Sequence, residues 1–75
     1  MKRIIVAISY KFTTVSVLMD MDAKAKLIAG KHGAAFHGSG VGFGQRDLDF
    51  QIEADKAESF IKALQVAGFT VEKEV

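Results

Sequence analysis

RDLDFQIEADKAESFIKALQVAGF, residues 46–69, changes its hydrophobic period part-way through. Over residues 46–53, Leu48, Phe50 and Ile52 alternate with Asp47, Asp49, Gln51 and Glu53, the period of a strand with one buried face. From Ala57 the apolar residues recur at helical spacing: Ala57, Phe60, Ile61 and Leu64 make one buried stripe. Asp55 with Glu58 three residues on reads as an N-cap with a capping-box partner. At the far end Gly68 suits the left-handed position of a Schellman turn, with Phe69 placed against Leu64. A further strand follows over residues 69–75.

Working back toward the N-terminus, Ile4, Val6, Ile8, Tyr10 and Phe12 share one parity, and Arg3, Ile5, Ala7, Ser9 and Lys11 share the other. This predicts a first strand with Ile5 and Ala7 on its outward side. In the next stretch Leu18, Met21, Ala25, Ile28 and His32 form a helical stripe, with Thr14 as N-cap and Gly33 just past Lys31 and His32 at the cationic end. A competing reading starts that helix at Asp22 and lets the first strand run on toward Val17, because Thr13, Thr14, Val15 and Val17 favour strand. Residues 34–37 suit a short second strand, and Gly38-Ser39-Gly40-Val41-Gly42-Phe43-Gly44 reads as the hairpin connection to the strand at 46–53. The order is β-α-β-β-α-β, the layout of a ferredoxin-like α+β sandwich. It implies a four-stranded antiparallel sheet in spatial order 4-1-3-2 with two helices on one face, in one domain spanning residues 1–75.

The 75 residues are 49% apolar and contain no Cys and no Pro, so a disulfide framework and thiolate metal sites are excluded and the fold rests on its apolar core. Net charge is +1, too small for a polybasic nucleic-acid tail or membrane anchor to dominate. Within that total, residues 1–46 set Lys2, Arg3, Lys11, Lys24, Lys26, Lys31 and Arg46 against Asp20 and Asp22. Residues 47–75 set seven acidic side chains against Lys56, Lys62 and Lys73. Met1-Lys2-Arg3 followed by an apolar run imitates a secretory start, but the run breaks at Ser9-Tyr10-Lys11 without a small-residue cleavage site. A cytoplasmic protein with no membrane span is expected.

The spacing of Gly38, Gly40, Gly42 and Gly44 invites an anion-binding reading, in which backbone N–H groups close around a phosphate or carboxylate. That loop leads into a strand where the common nucleotide loops lead into a helix. His32 and His37 lack the spacing of two helical metal ligands, and no nucleophile has a base beside it in sequence. No enzyme, no cofactor and no metal are expected. Asp47 and Asp49 share a strand face as a carboxylate pair, which a solvated surface also explains. Gly42-Phe43-Gly44 resembles the glycine–aromatic run of RNA-recognition domains, yet those stack bases on the open sheet face. Here Phe36, Phe50, Phe69, Tyr10 and Phe12 take the inward parity, while Asp47, Asp49, Glu53, Glu72 and Glu74 face outward and repel phosphate. Nucleic acid is an unfavoured partner.

Ile5 and Ala7 at the centre of the outward face, ringed by opposite charges, together with Val41 and Phe43 on the glycine-rich loop, suit a protein contact. Met19 and Met21 cannot both face the core, which leaves one of them exposed. The expectation is therefore a non-enzymatic interaction module that binds a protein partner or its own copy through Ile5, Ala7, Val41, Phe43, Arg46, Asp47 and Asp49. In size and layout it resembles inhibitors of phage type that occupy a host protein's surface. The alternatives are a small-ligand or anion sensor using Gly38, Gly40, Gly42 and Gly44, and weak RNA binding.

Overall fold

A computed structural model describes residues 2–75; Met1, at the head of the charged start, lies outside the described residues. The elements run β1 (Arg3–Lys11), α1 (Val15–His32), β2 (Ala35–Gly42), β3 (Gln45–Glu53), a 3₁₀ turn (Ala54–Lys56), α2 (Ala57–Val66) and β4 (Thr70–Glu74). The four strands form one antiparallel sheet in the order β2-β3-β1-β4, which is the expected 4-1-3-2 read from the other edge. The fold is an α+β sandwich of ferredoxin-like layout.

Parity decides the core. Val6, Ile8, Leu48, Phe50 and Ile52 are fully buried beneath Ala25, Ala29, Phe60 and Leu64 of the two helices, so both helices cover one sheet face. Small residues on α1 let that helix approach the sheet closely, while α2 contributes the bulk. Thr14 caps α1, its Oγ1 accepting from the Val17 N–H at 3.2 Å. Gly33, at φ 74°, ends it, and the Ala34 N–H donates to the Ala29 carbonyl at 2.8 Å. Helix therefore prevails over strand at 15–21, because the cap and the stripe agree. The stripe itself is shifted: Asp22, Ala25 and Ala29 are the buried positions, and Met21 is half-buried while Met19 is exposed.

α2 ends as expected. Gly68 has φ 102°, its N–H donates to Gln65 and the Phe69 N–H donates to Leu64 at 3.0 Å, the two bonds of a Schellman motif. Its beginning departs from expectation. Asp55 lies inside the 3₁₀ turn, α2 follows from Lys56 in helical geometry, and no side chain caps it. The chain is already turning when it reaches Asp55, so the extended backbone an N-cap needs is missing. Asp55→Ala is accordingly expected to change unfolding free energy by less than about 0.5 kcal/mol. Urea denaturation checks this, and a loss near 1 kcal/mol would restore Asp55 as a cap.

The glycine-rich stretch departs further. Residues 38–42 continue β2 as an edge strand, and the connection shrinks to Phe43-Gly44. Both residues have positive φ, 54° and 75°, the pattern of a two-residue type I′ hairpin. Gly44 suits this, since a Cβ there would stand 3.4 Å from the Phe12 carbonyl oxygen at an unfavourable φ. A register shift between Phe36 and Gly38 places a bulge at His37 and inverts the parity beyond it. Phe36 faces the helices, pairing with Phe50, and Gly38, Gly40 and Gly42 then fall on the open face opposite Asp49, Asp47 and Gln45. β4 carries a second shift, against Ala7 and Ile8 of β1. It turns Glu74 toward the helix side, beside Ile4 and Ile61, in place of the open face expected for it.

Candidate interaction surface

Three regions of the surface combine exposure with chemistry: the hairpin tip, the β2 edge and the open sheet face. At the tip Phe43 is fully exposed and holds a left-handed backbone conformation at φ 54°. A bulky residue there stores about 1–2 kcal/mol of backbone strain. Along the edge, Phe36 and Val41 are 50% and 61% exposed. Phe36 packs edge-on against Phe50, with the Lys26 ammonium 5.0 Å from its ring centre. Val41 pairs with Arg46 and so belongs to the helix side of β2, a strand position where the glycine spacing suggested a loop.

The open face carries Ile5 and Ala7, both half-buried. Neighbouring Ser9 is buried, its hydroxyl donating to Glu72 Oε1 at 2.6 Å. Asp47 and Asp49 lie on the same face, on the strand between β1 and β2. Asp47 accepts from Gln45 Nε2 at 3.1 Å. Val75, joined to Ile5 by two backbone hydrogen bonds of 2.6 and 2.9 Å, extends this surface. The structure thus groups Ile5, Ala7, Asp47 and Asp49, and sets Phe43 and Val41 at the adjoining corner of the sheet.

Arg46 is not among them. It shares the inward parity of Leu48 and Phe50 and meets Asp22 of α1 through two nitrogens, the shorter contact being 2.9 Å. The Tyr10 hydroxyl donates to the same carboxylate and lies 2.9 Å from the Leu18 carbonyl oxygen. Burial raises the Tyr10 phenol well above its ordinary range, and the hydrogen bond with Asp22 and the Asp22 charge raise it further. Burial alone would raise Asp22, but hydrogen bonds from Arg46 and Tyr10 and the charges of Arg46 and Lys26 outweigh it and hold the carboxyl below the usual carboxylate range. The hydrogen bond with Asp22 raises Arg46, although burial opposes it. Arg46 thus ties the sheet to α1. The signal for this cluster was in the sequence: an acid one residue past Met21 on the α1 stripe, and an arginine on the inward parity of β3.

The anion-binding alternative meets an unfavourable geometry. Gly38, Gly40 and Gly42 are extended strand residues two apart, so their N–H groups point the same way in the sheet plane and do not converge on one point, and only Gly44 of the four has a left-handed φ. The carboxylates of Asp49 and Asp47 lean over the first two glycines, 3.7 and 4.0 Å from where a Cβ would stand, and an anion there would be repelled. A groove between α2 and the far end of β1, walled by Ile4, Ala57, Ile61 and Gln65 with Glu58, Lys62 and Glu74 at its margin, collects charges of both signs. Among the described residues no helix is long and apolar enough to cross a membrane.

No protein-family model matches the chain, and no curated protein matches it.

Proposed function

We propose that the protein is a non-enzymatic interaction module that presents the β2–β3 hairpin tip and the adjoining open sheet face to a protein partner. Phe43 carries the reading. A fully exposed phenylalanine at a position that Asn or Gly fills without strain is unfavourable twice in the free protein. A partner pocket would remove the hydration cost and use the strain to hold the ring forward, as buried aromatic anchors do at interface centres. Ile5 and Ala7 lie toward the interior of the same surface, where their apolar area would become a contact.

The substitution Phe43→Asn separates the two roles. Asn tolerates a positive φ, so unfolding free energy is expected to rise by about 1 kcal/mol, visible as a higher midpoint in urea. Affinity for a partner captured on the immobilised wild-type protein and identified by mass is expected to fall at least tenfold, roughly 1.4 kcal/mol. A variant that gains stability and keeps its partner affinity would remove the tip from the interface.

A further inference from the structure

We propose that the partner is bound by strand addition along β2, and that the added strand carries basic side chains on the open-face side and apolar ones on the helix side. This rests on the interaction-module reading and assigns it a mode and a partner chemistry. β2 is an edge of the sheet, bonded only to β3, so its outward-pointing backbone donors and acceptors are a template for another strand. Natural edges are commonly guarded by Lys or Pro; Ala35–Gly42, with the sequence AFHGSGVG, has neither and carries no fixed charge.

The two faces of this edge make different demands. On the helix side Phe36 and Val41 stand half-exposed or more, with Ser39 paired to Leu48 between them, so apolar side chains of an added strand would cover them. On the open side Gly38, Gly40 and Gly42 offer no side chains, and the carboxylates of Asp49 and Asp47 already lean across the first two. An added strand lies about 4.8 Å beyond β2, within reach of a Lys or Arg extended across the glycine track. Among the described residues neither Asp47 nor Asp49 is in an ion pair, and the one ion pair is Asp22–Arg46. A second copy of this chain pairing through the same edge would set its own glycines beside the track and bring no cation to the carboxylates. Charge therefore selects a basic strand over self-pairing.

The probe is a capped eight-residue peptide of alternating arginine and valine, titrated into the intact protein while amide hydrogen exchange is followed. Two controls accompany it: the same peptide with glutamate for arginine, and one of identical composition with its arginines and valines in two blocks. The alternating basic peptide is expected to slow exchange of β2 amides at least tenfold, and both controls to bind at least tenfold more weakly. Asp47→Asn/Asp49→Asn is expected to lower affinity at least tenfold. So is Gly40→Val, which places a side chain in the track without disfavouring the strand. Unchanged exchange in β2, equal binding of either control, or indifference to Gly40→Val would overturn strand addition. If the peptide fails while Phe43→Asn still releases the captured partner, the tip reading stands and only the β2 mode is lost. If the peptide binds and Phe43→Asn changes nothing, the edge is the interface and the tip is not.

Discussion

Replacing Phe60 with alanine is expected to lower unfolding free energy by about 3–5 kcal/mol, through lost transfer energy and the cavity left behind. Phe60 is wholly buried at the centre of the layer between sheet and helices. Its ring meets Phe50 edge-on, with centroids 5.8 Å apart and planes at 90°, and lies 5.8 Å from the His32 ring. Few neighbours can collapse into the space, because α1 faces it with Ala25 and Ala29, whose side chains have no rotamers with which to follow. The loss would be a large share of the 5–15 kcal/mol typical of a whole domain, so a urea titration should find the midpoint moved far toward zero denaturant. Phe60→Leu, which keeps most of the volume, is the graded control. A Phe60→Ala variant within 1 kcal/mol of the parent would mean that α2 does not pack as the structure has it.

Phe60 could be placed from the sequence because its neighbours at 57, 61 and 64 repeat with one period and Gly68 marks the end. The same holds for β1 and β3, where alternation runs uninterrupted and the buried parities admit the register Val6↔Phe50 and Ile8↔Leu48 while excluding any slip by one residue. What alternation cannot reveal is a bulge. The shift at His37 changes the parity of a strand without changing its composition, so Gly38 to Gly42 read as a loop and Val41 moved to the helix side. The shift in β4 moved Glu74 in the same way. β2 was hard to see for a further reason: glycine at every second position has poor strand propensity, and pairing with β3 holds it extended. Phe43 was legible as an exposed aromatic on a glycine-rich tip, but its positive φ was hidden, since that depends on the connection being only two residues long. The Asp55 cap failed for a local reason, a 3₁₀ turn entered one residue earlier.

The Asp22 cluster escaped because three residues distant in sequence, 10, 22 and 46, each have a bland reading alone. Together they yield the second large effect. Asp22→Ala is expected to cost about 3 kcal/mol, since it leaves the Arg46 guanidinium without its carboxylate, while the Tyr10 hydroxyl keeps only the Leu18 carbonyl oxygen. Side-chain exposures of 18% for Arg46 and 12% for Asp22 admit some water, which places the figure at the lower end for buried pairs. Replacing both charges together, Asp22→Leu with Arg46→Met, is expected to recover much of the loss, because an apolar pair of similar volume needs no acceptor. The pH dependence follows from the same contacts. Asp22 stays ionised in the folded protein to lower pH than in the unfolded chain, so the unfolded state binds more protons there. The stability it contributes is full above the ordinary carboxylate range, near pH 4, and is lost as pH falls through its lowered value. Asp22→Asn should flatten that part of the acid limb. At the alkaline end the raised Tyr10 contributes stability that is full below about pH 10 and lost as pH rises toward its folded value. Tyr10 is the one tyrosine in the chain, so tyrosinate absorbance reads it alone and is expected to appear only as the protein unfolds. Tyrosinate forming near pH 10 in the folded protein would place the hydroxyl in water and dissolve the cluster.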